Sequence, residues 1–316
     1  MRRREFLGVL GAGILGVPGV LPGGVRRVTS SLTRERLVER WSWAMGQPVH
    51  LQLFAATETV GYAAAEAALA ELWRVERALS RFDDASDLSE LNRHAGRPAF
   101  KVGTDLAETL GAALGFERET AGAFNPSVEP LMRAWGFHAR RTTEPTAAEI
   151  AAARRVVQAT RVVVQGDRVL LPSRESRLDL GGIGVGYGLD RAVAVLRRAG
   201  VRRAFLDVSG DCYALGAPPG EAGWLVDIVD PRPGSHVLAS TRLRDAALAT
   251  SSNSVSVVRY GRAVRGHVMN PATGWPADAL GQVSVVARTG IEADALSTAM
   301  LVSGVPTPGV LRSYTI

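Results

Sequence analysis

Several residue types that carry chemistry elsewhere are scarce in this 316-residue chain. Cys212 is the one cysteine, which excludes an intramolecular disulfide and a cysteine-built zinc cluster. Lys101 is the one lysine and precedes valine, so there is no Walker A loop, whose lysine is followed by Ser or Thr. The histidines (His50, His94, His138, His236, His267) are too scattered to spell a ligand motif by spacing. Aromatic residues make up only 6% and no basic stripe interleaves with them, so the net charge of +6, carried almost wholly by arginine, does not read as a nucleic-acid surface. Repeats, low-complexity tracts and an internal domain boundary are also lacking. What remains is an ordinary globular composition, 46% hydrophobic and 22% charged, with ample chain for a core.

The first residues carry an address. Arg2-Arg3-Arg4-Glu5-Phe6-Leu7 precedes a small apolar run from Gly8 to Val25. A basic start, twin arginines and a mild hydrophobic stretch form the pattern of a twin-arginine export signal, assigned to residues 1–30. The alternative is a membrane-anchoring helix, but the glycines and prolines from Gly8 to Gly24 oppose a stable span. The expected location is the bacterial periplasm or the outer face of the cytoplasmic membrane, with any membrane association made through this segment.

Residues 34–40 read as a charged linker and 41–316 as one domain. Trp41–Thr57 alternates as strands, and Val60–Leu79 is an amphipathic helix with Leu69, Leu72, Trp73 and Leu79 on one side. Further helices are predicted over 104–120 and 147–158, the latter with a Thr146–Glu149 capping box. A hairpin is expected over 161–171, and strands over 204–208, 224–229, 254–259 and 282–287, before a last helix near Ala293. Strands mixed with long helices, without βαβ alternation, indicate an α+β fold: an antiparallel or mixed sheet flanked by helices.

The richest stretch is Leu178-Asp179-Leu180-Gly181-Gly182-Ile183-Gly184-Val185-Gly186-Tyr187-Gly188, an acidic residue followed by closely spaced glycines. No register gives the G-x-G-x-x-G fingerprint. Glycines let backbone approach a bulky anion, and a helix starting after them would aim its N-terminal N–H groups at the same place. A phosphate site is one reading; a set of tight turns is the other.

Six further motifs fall in order around this stretch: 81-RFDDASDLSELN-92, 122-GAFNPSVEPL-131 with Trp135-Gly136-Phe137, 207-DVSGD-211, 249-ATSSN-253, 266-GHVMNPATG-274 and 292-EADALSTA-299. Together they resemble the ApbE family, the FAD:protein FMN transferases, from about Met45 to Leu301. The resemblance implies a magnesium-dependent enzyme that splits the FAD pyrophosphate. It would attach FMN by a phosphoester to a threonine or serine of an acceptor flavoprotein, here one of an envelope redox complex, and release AMP.

The resemblance also implies roles for individual residues. Asp294 and Thr298, four apart on one helix face, would hold magnesium together with the Gly182 carbonyl and nearby Ser297. Asp294 could otherwise cap its own helix. Asp179 would contact FAD, although an aspartate entering a glycine turn often serves its own backbone. Met45, Phe82, Ala123, Phe124, Asn125, Val185 and Val268 would line the FAD pocket, where a lone Met or Phe is more often core. His267 would take the acceptor hydroxyl's proton or steady the phosphoryl oxygens, its other reading being a structural hydrogen-bonder. Thr250 and Ser251 would shape backbone or touch flavin.

Departures from the family pattern bear on activity. Val185 stands where lysine is usual, and Asn125 and Asn270 where aspartates are usual. Gly266 replaces a first histidine. After Leu301 the chain leads through Pro306-Thr307-Pro308-Gly309 to a short tail, which suggests truncation and an uncovered sheet edge. An FAD pyrophosphatase, a non-catalytic FAD-binding protein and an envelope scaffold without flavin are therefore kept as alternatives.

Overall fold

The computed structural model describes residues 35–231, 236–277 and 281–315. The export-signal assignment, residues 1–30, lies outside them.

Strands β1 (Arg36–Ala44) and β2 (Gln47–Ala55) pair antiparallel across a tight turn in which Met45 and Gly46 both have positive φ, 56° and 71°. The segment expected as a charged linker is thus strand from Arg36 onward. Its alternation is masked because Arg36, Glu39 and Arg40 face solvent while Val38 is buried. Helix α1 (Glu58–Leu79) is capped by Thr57 and buries Ala64, Ala65, Ala68, Leu69, Leu72 and Val75 at helical spacing.

Helix α2 (Asp87–His94), strand β3 (Phe100–Lys101) and helix α3 (Thr104–Glu119) come next. The 122–137 segment contains a short helix, α4 (Glu129–Ala134). Helix α5 (Ala147–Ala159) carries the expected capping box, and β4 (Val163–Gln165) and β5 (Arg168–Leu170) form the expected hairpin. Helix α6 (Gly184–Arg198) then leads to strands β6 (Ala204–Val208), β7 (Asp211–Leu215), β8 (Trp224–Val229), β9 (Val237–Leu243) and β10 (Ala246–Ser252).

The strand expected over 254–259 is β11 (Val257–Tyr260), paired with β12 (Ala263–Gly266). Strand β13 (Gln282–Ala287), helix α7 (Gly290–Ser303) and strand β14 (Arg312–Thr315) complete the described elements. The α+β expectation holds, and every paired strand is antiparallel.

The main sheet has seven strands in the order β1-β2-β6-β7-β10-β13-β14. One face is covered by α1, α6 and α7, which share the largest apolar cluster with β2, β6, β10 and β13. On the other face the β8–β9 hairpin packs Trp224, Ile228 and Leu243 against Phe54, Phe205 and Leu248. The expected bare edge is not there. Leu311 N–H donates to the Val286 carbonyl, and β14 pairs with β13 from Val283↔Thr315 to Val286↔Arg312. The Pro-Gly segment turns the chain back far enough for four residues to cover that edge. Among the described residues no helix is long and apolar enough to cross a membrane.

Candidate active site

The glycine run does something other than expected. Helix α6 begins within it, at Gly184, so three of its five glycines are helical. Ile183 precedes that helix and offers no side-chain cap. The first turn of α6 therefore needs an acceptor from elsewhere. Asp294 Oδ2 accepts from Gly186 N–H at 2.9 Å, and the Val185 N–H contributes as well. Asp294 does not cap its own helix: α7 starts at Gly290 and is closed by a Thr289–Glu292 capping box. The N–H groups expected to face a phosphate are thus turned to a carboxylate on the neighbouring helix.

That contact needs a close helix crossing. A Cβ on Gly186 would overlap the carbonyl of Gly290. In return, Asp190 on α6 accepts from Gly290 N–H at 2.6 Å and Ile291 N–H at 2.9 Å, capping α7. Each helix thus lends a carboxylate to the other's N-terminus, where the dipole favours negative charge.

One turn beyond Asp294 the same face of α7 carries hydroxyls. Ser251 Oγ on β10 lies 2.8 Å from Ser297 Oγ and 3.0 Å from Thr298 Oγ1, and Ser297 donates to the Asp294 carbonyl at 2.9 Å. Gly182 faces this group: a Cβ there would come within 2.9 Å of Thr298 Oγ1 and 3.5 Å of Phe124 Cε2. Asp211, on β7, accepts from Thr250 N–H at 2.9 Å and feels the charge of Asp294. Burial raises the Asp294 carboxyl to about 7 against its two backbone hydrogen bonds. Burial and the charge of Asp294 push Asp211 well above the carboxylate range.

These residues fit magnesium. The donors are oxygens only, buried Asp294 has no cationic partner among the described residues, and Gly182 comes so close to Thr298 Oγ1 that only glycine fits there. Among the described residues no three His, Cys, Asp or Glu side chains gather to hold a metal. An ion here would therefore draw on hydroxyl and carbonyl oxygens besides a carboxylate.

A second cluster flanks the first. Asp179 Oδ1 accepts from Gly181 N–H at 2.7 Å, and its own N–H donates to the Pro126 carbonyl. Its Oδ2 lies 3.3 Å from Arg81 Nε and 3.2 Å from His138 Nε2, the latter an ion-pair separation and not an aligned hydrogen bond. His138 Nδ1 lies 3.3 Å from Glu129 Oε1, which also pairs with Arg133 at 2.6 Å. Burial opposes ionisation of Asp179, but His138, Arg81 and the Gly181 N–H outweigh it and hold the carboxyl below its ordinary range.

His267 belongs to the same neighbourhood. Burial lowers its pKa, while Asp179 and Arg81 act on it in opposite directions. Its Nδ1 is shut off from solvent and has no hydrogen-bond partner among the described residues.

The other expected pocket residues are spread around these clusters. Phe124 is buried, edge-on to Phe116 and beside Gly182, while Ala123 packs against the same apolar group. Phe82 is 60% exposed, with the Arg81 guanidinium 3.8 Å above its ring. Asn125 Oδ1 accepts from Ser127 N–H and its Nδ2 donates to Glu117 Oε1 at 3.1 Å. An aspartate there would face a carboxylate. Asn270 caps the following turn through Ala272 and Thr273 N–H, which an aspartate would do equally well. Val268 is half-buried, its N–H held by Asn253 Oδ1. Met45 packs against the core beside α6, close to Gly184 and Gly188.

Val185, expected to line the FAD pocket, has its side chain buried in the main apolar cluster, while its backbone N–H turns to Asp294.

Asp211, Arg81 and Glu129 lie inside motifs legible in the sequence, although their roles are not. His138 directly follows Trp135-Gly136-Phe137 and had no signal of its own. An open groove of about 670 Å³ beside α4 and α5 is lined by Arg133, Arg141, Arg174 and Arg177, but the Asp294 cluster takes no part in it.

Residues 45–311 match the ApbE family. An FAD:protein FMN transferase of Rhodobacter capsulatus is 31% identical over 292 residues, covering 90% of this chain and 54% of that protein. The chain thus spans about half the length of this relative. Another of the same name, from Treponema pallidum, is 31% identical over 260 residues, 77% of this chain and 72% of the relative. Among solved structures, the ApbE protein of Thermotoga maritima superposes with a TM-score of 0.77 at 29% identity, covering 84% of this chain and 87% of that one. The flavin transferase ApbE of Vibrio cholerae, at 22% identity and a TM-score of 0.74, shares the fold. With most of its described residues inside the match, this chain belongs to the ApbE family.

Proposed function

We propose that this chain is a magnesium-dependent FAD:protein FMN transferase acting outside the cytoplasmic membrane on an envelope flavoprotein. Relatives from Rhodobacter capsulatus and Treponema pallidum carry the name FAD:protein FMN transferase. The observation that carries the reading is the meeting of Asp294, Ser297, Thr298 and Gly182 around buried carboxylate charge.

In the reaction, a threonine or serine oxygen of the acceptor attacks the phosphorus on the FMN side of the pyrophosphate. The bond from that phosphorus to the bridging oxygen breaks, AMP departs, and the hydroxyl proton needs an acceptor. His267 is the residue we assign to receive it, because burial favours the neutral ring that can take a proton. Asp294, Ser297, Thr298 and Gly182 would hold magnesium, which when bound offsets phosphate charge and polarises the phosphoryl oxygens. Because the first N–H groups of α6 serve Asp294, phosphate charge is better met by an ion that Asp294 helps to hold than by the helix terminus itself. Arg81, beside Asp179, is a protein cation close to the glycine segment.

The export reading rests on Arg2-Arg3-Arg4-Glu5-Phe6-Leu7 and the run after it. The test is mass spectrometry of a threonine-bearing acceptor after incubation with the chain, FAD and magnesium, with AMP followed by chromatography. FMN mass on the acceptor together with AMP is the expected result. AMP with free FMN would point to hydrolysis, and neither product to a carrier.

A further inference from the structure

Four segments meet at one buried imidazole. His138, in the loop after α4, has a side chain only 3% exposed and stands between two carboxylates. Glu129 is 3.3 Å from Nδ1 and Asp179 is 3.2 Å from Nε2. Both carboxylates are themselves shielded, their side chains 7% and 10% exposed. Among the described residues His138 alone contacts both. Arg81 serves Asp179 and Arg133 serves Glu129, and Arg133 is 59% exposed, so solvent weakens its share.

Asp179 is also the joint between two segments. Its N–H holds the Pro126 carbonyl, and its carboxylate holds Gly181 N–H. A change in its position or charge therefore moves the 123–126 segment and the glycine segment together.

We propose that His138 is a positioning residue that, as an imidazolium, pins the Asp179 carboxylate and so sets the geometry of the FAD site. The inference rests on the flavin-transferase reading. Burial alone would lower the pKa of His138, but its contacts with Asp179 and Glu129 overcome this and raise it. The charged groups facing it are Glu129 and Arg133 on α4, Arg81 after α1 and Asp179 before α6, with His267 beyond Asp179. Once His138 loses its proton, one ring nitrogen presents a lone pair to a carboxylate and the pin is released.

The test is FAD affinity of the full chain with magnesium, titrated from pH 6 to 9, for wild type and His138→Gln. Wild type should lose affinity on the alkaline side. His138→Gln should bind FAD about ten- to a hundredfold more weakly at neutral pH, the scale of one charge-assisted contact. Its alkaline decline should be absent. At saturating FAD the maximal rate should change far less than KM, because the role assigned to His138 is to hold Asp179 and not to take part in the transfer. His138→Gln with wild-type affinity and an unchanged pH profile would overturn the inference while leaving the flavin reading intact.

A wild-type chain that binds no FAD would overturn both. Should the variant fail to fold, histidine NMR of the wild type decides. A His138 ring that titrates above the ordinary imidazole range and shifts on adding FAD supports the pin, and one that titrates at or below that range, or does not shift with FAD, removes it.

Discussion

The carboxylate of Asp294 accepts a 2.9 Å hydrogen bond from Gly186 N–H, joining the second turn of α7 to the first turn of α6 across 108 residues of sequence. One side chain thereby caps the start of a helix and brings a buried carboxyl to the Ser297–Thr298 face. Structural and chemical duties can be separated there by substitution.

Asp294→Asn keeps an acceptor for Gly186 while removing the charge. The metal-free variant should melt no lower than wild type, since a carboxyl that burial already raises to about 7 loses little by becoming neutral. Its thermal stabilisation by magnesium should vanish, and transfer should fall by more than about a hundredfold, the upper end of what losing a metal's outer partner costs. Calorimetry with and without magnesium checks this; an undiminished magnesium response would sink the ligand assignment.

Gly186→Ala should loosen the α6–α7 crossing, because the added methyl overlaps the Gly290 carbonyl. Overpacking of this kind costs about 1–3 kcal/mol. Gly111→Ala, in the middle of α3 with open space around it, should instead stabilise by roughly 0.5–1 kcal/mol. Urea midpoints of the two variants should move in opposite directions.

Val185→Lys installs the lysine that the family resemblance led us to expect, yet the side chain at this position enters the main apolar cluster. Burying an ammonium there costs on the order of several kcal/mol. Lower stability with no gain in FAD affinity is expected. A stably folded variant that binds FAD more tightly would show that the side chain can reach the phosphates after all.

Asp190 titrates in a window that can be worked out. Burial raises it to about 6 despite the Gly290 and Ile291 N–H bonds. The unfolded value is about 3.9, so the folded chain holds this proton more tightly. Its contribution to stability is full below the unfolded value and is lost as pH rises through about 6. Asp190→Asn cannot ionise, so its melting temperature should gain on wild type between pH 4 and pH 7. A constant offset across that range would contradict the assignment.

Local order was legible without coordinates. The apolar spacing of Leu69 and Leu72 marked α1, and Thr146 with Glu149 marked the start of α5. Both signals act within a turn or two of helix, so the amino-acid order alone carries them. The order of the motifs pointed to the family, and the all-oxygen set of Asp294, Ser297, Thr298 and Gly182 followed from that resemblance.

Tertiary structure decided what those residues face. The glycine run read as either a phosphate site or a set of tight turns, and the packing shows that Gly186 admits α7. That the side chain of Val185 is buried in the core was not legible either. His138 carried no motif and gains its two carboxylates only when α4 and the segment before α6 are brought together. Periodicity records which side of an element is apolar. Which distant group closes a helix terminus, or shares a buried charge, depends on how elements a hundred residues apart pack, and no local pattern encodes that.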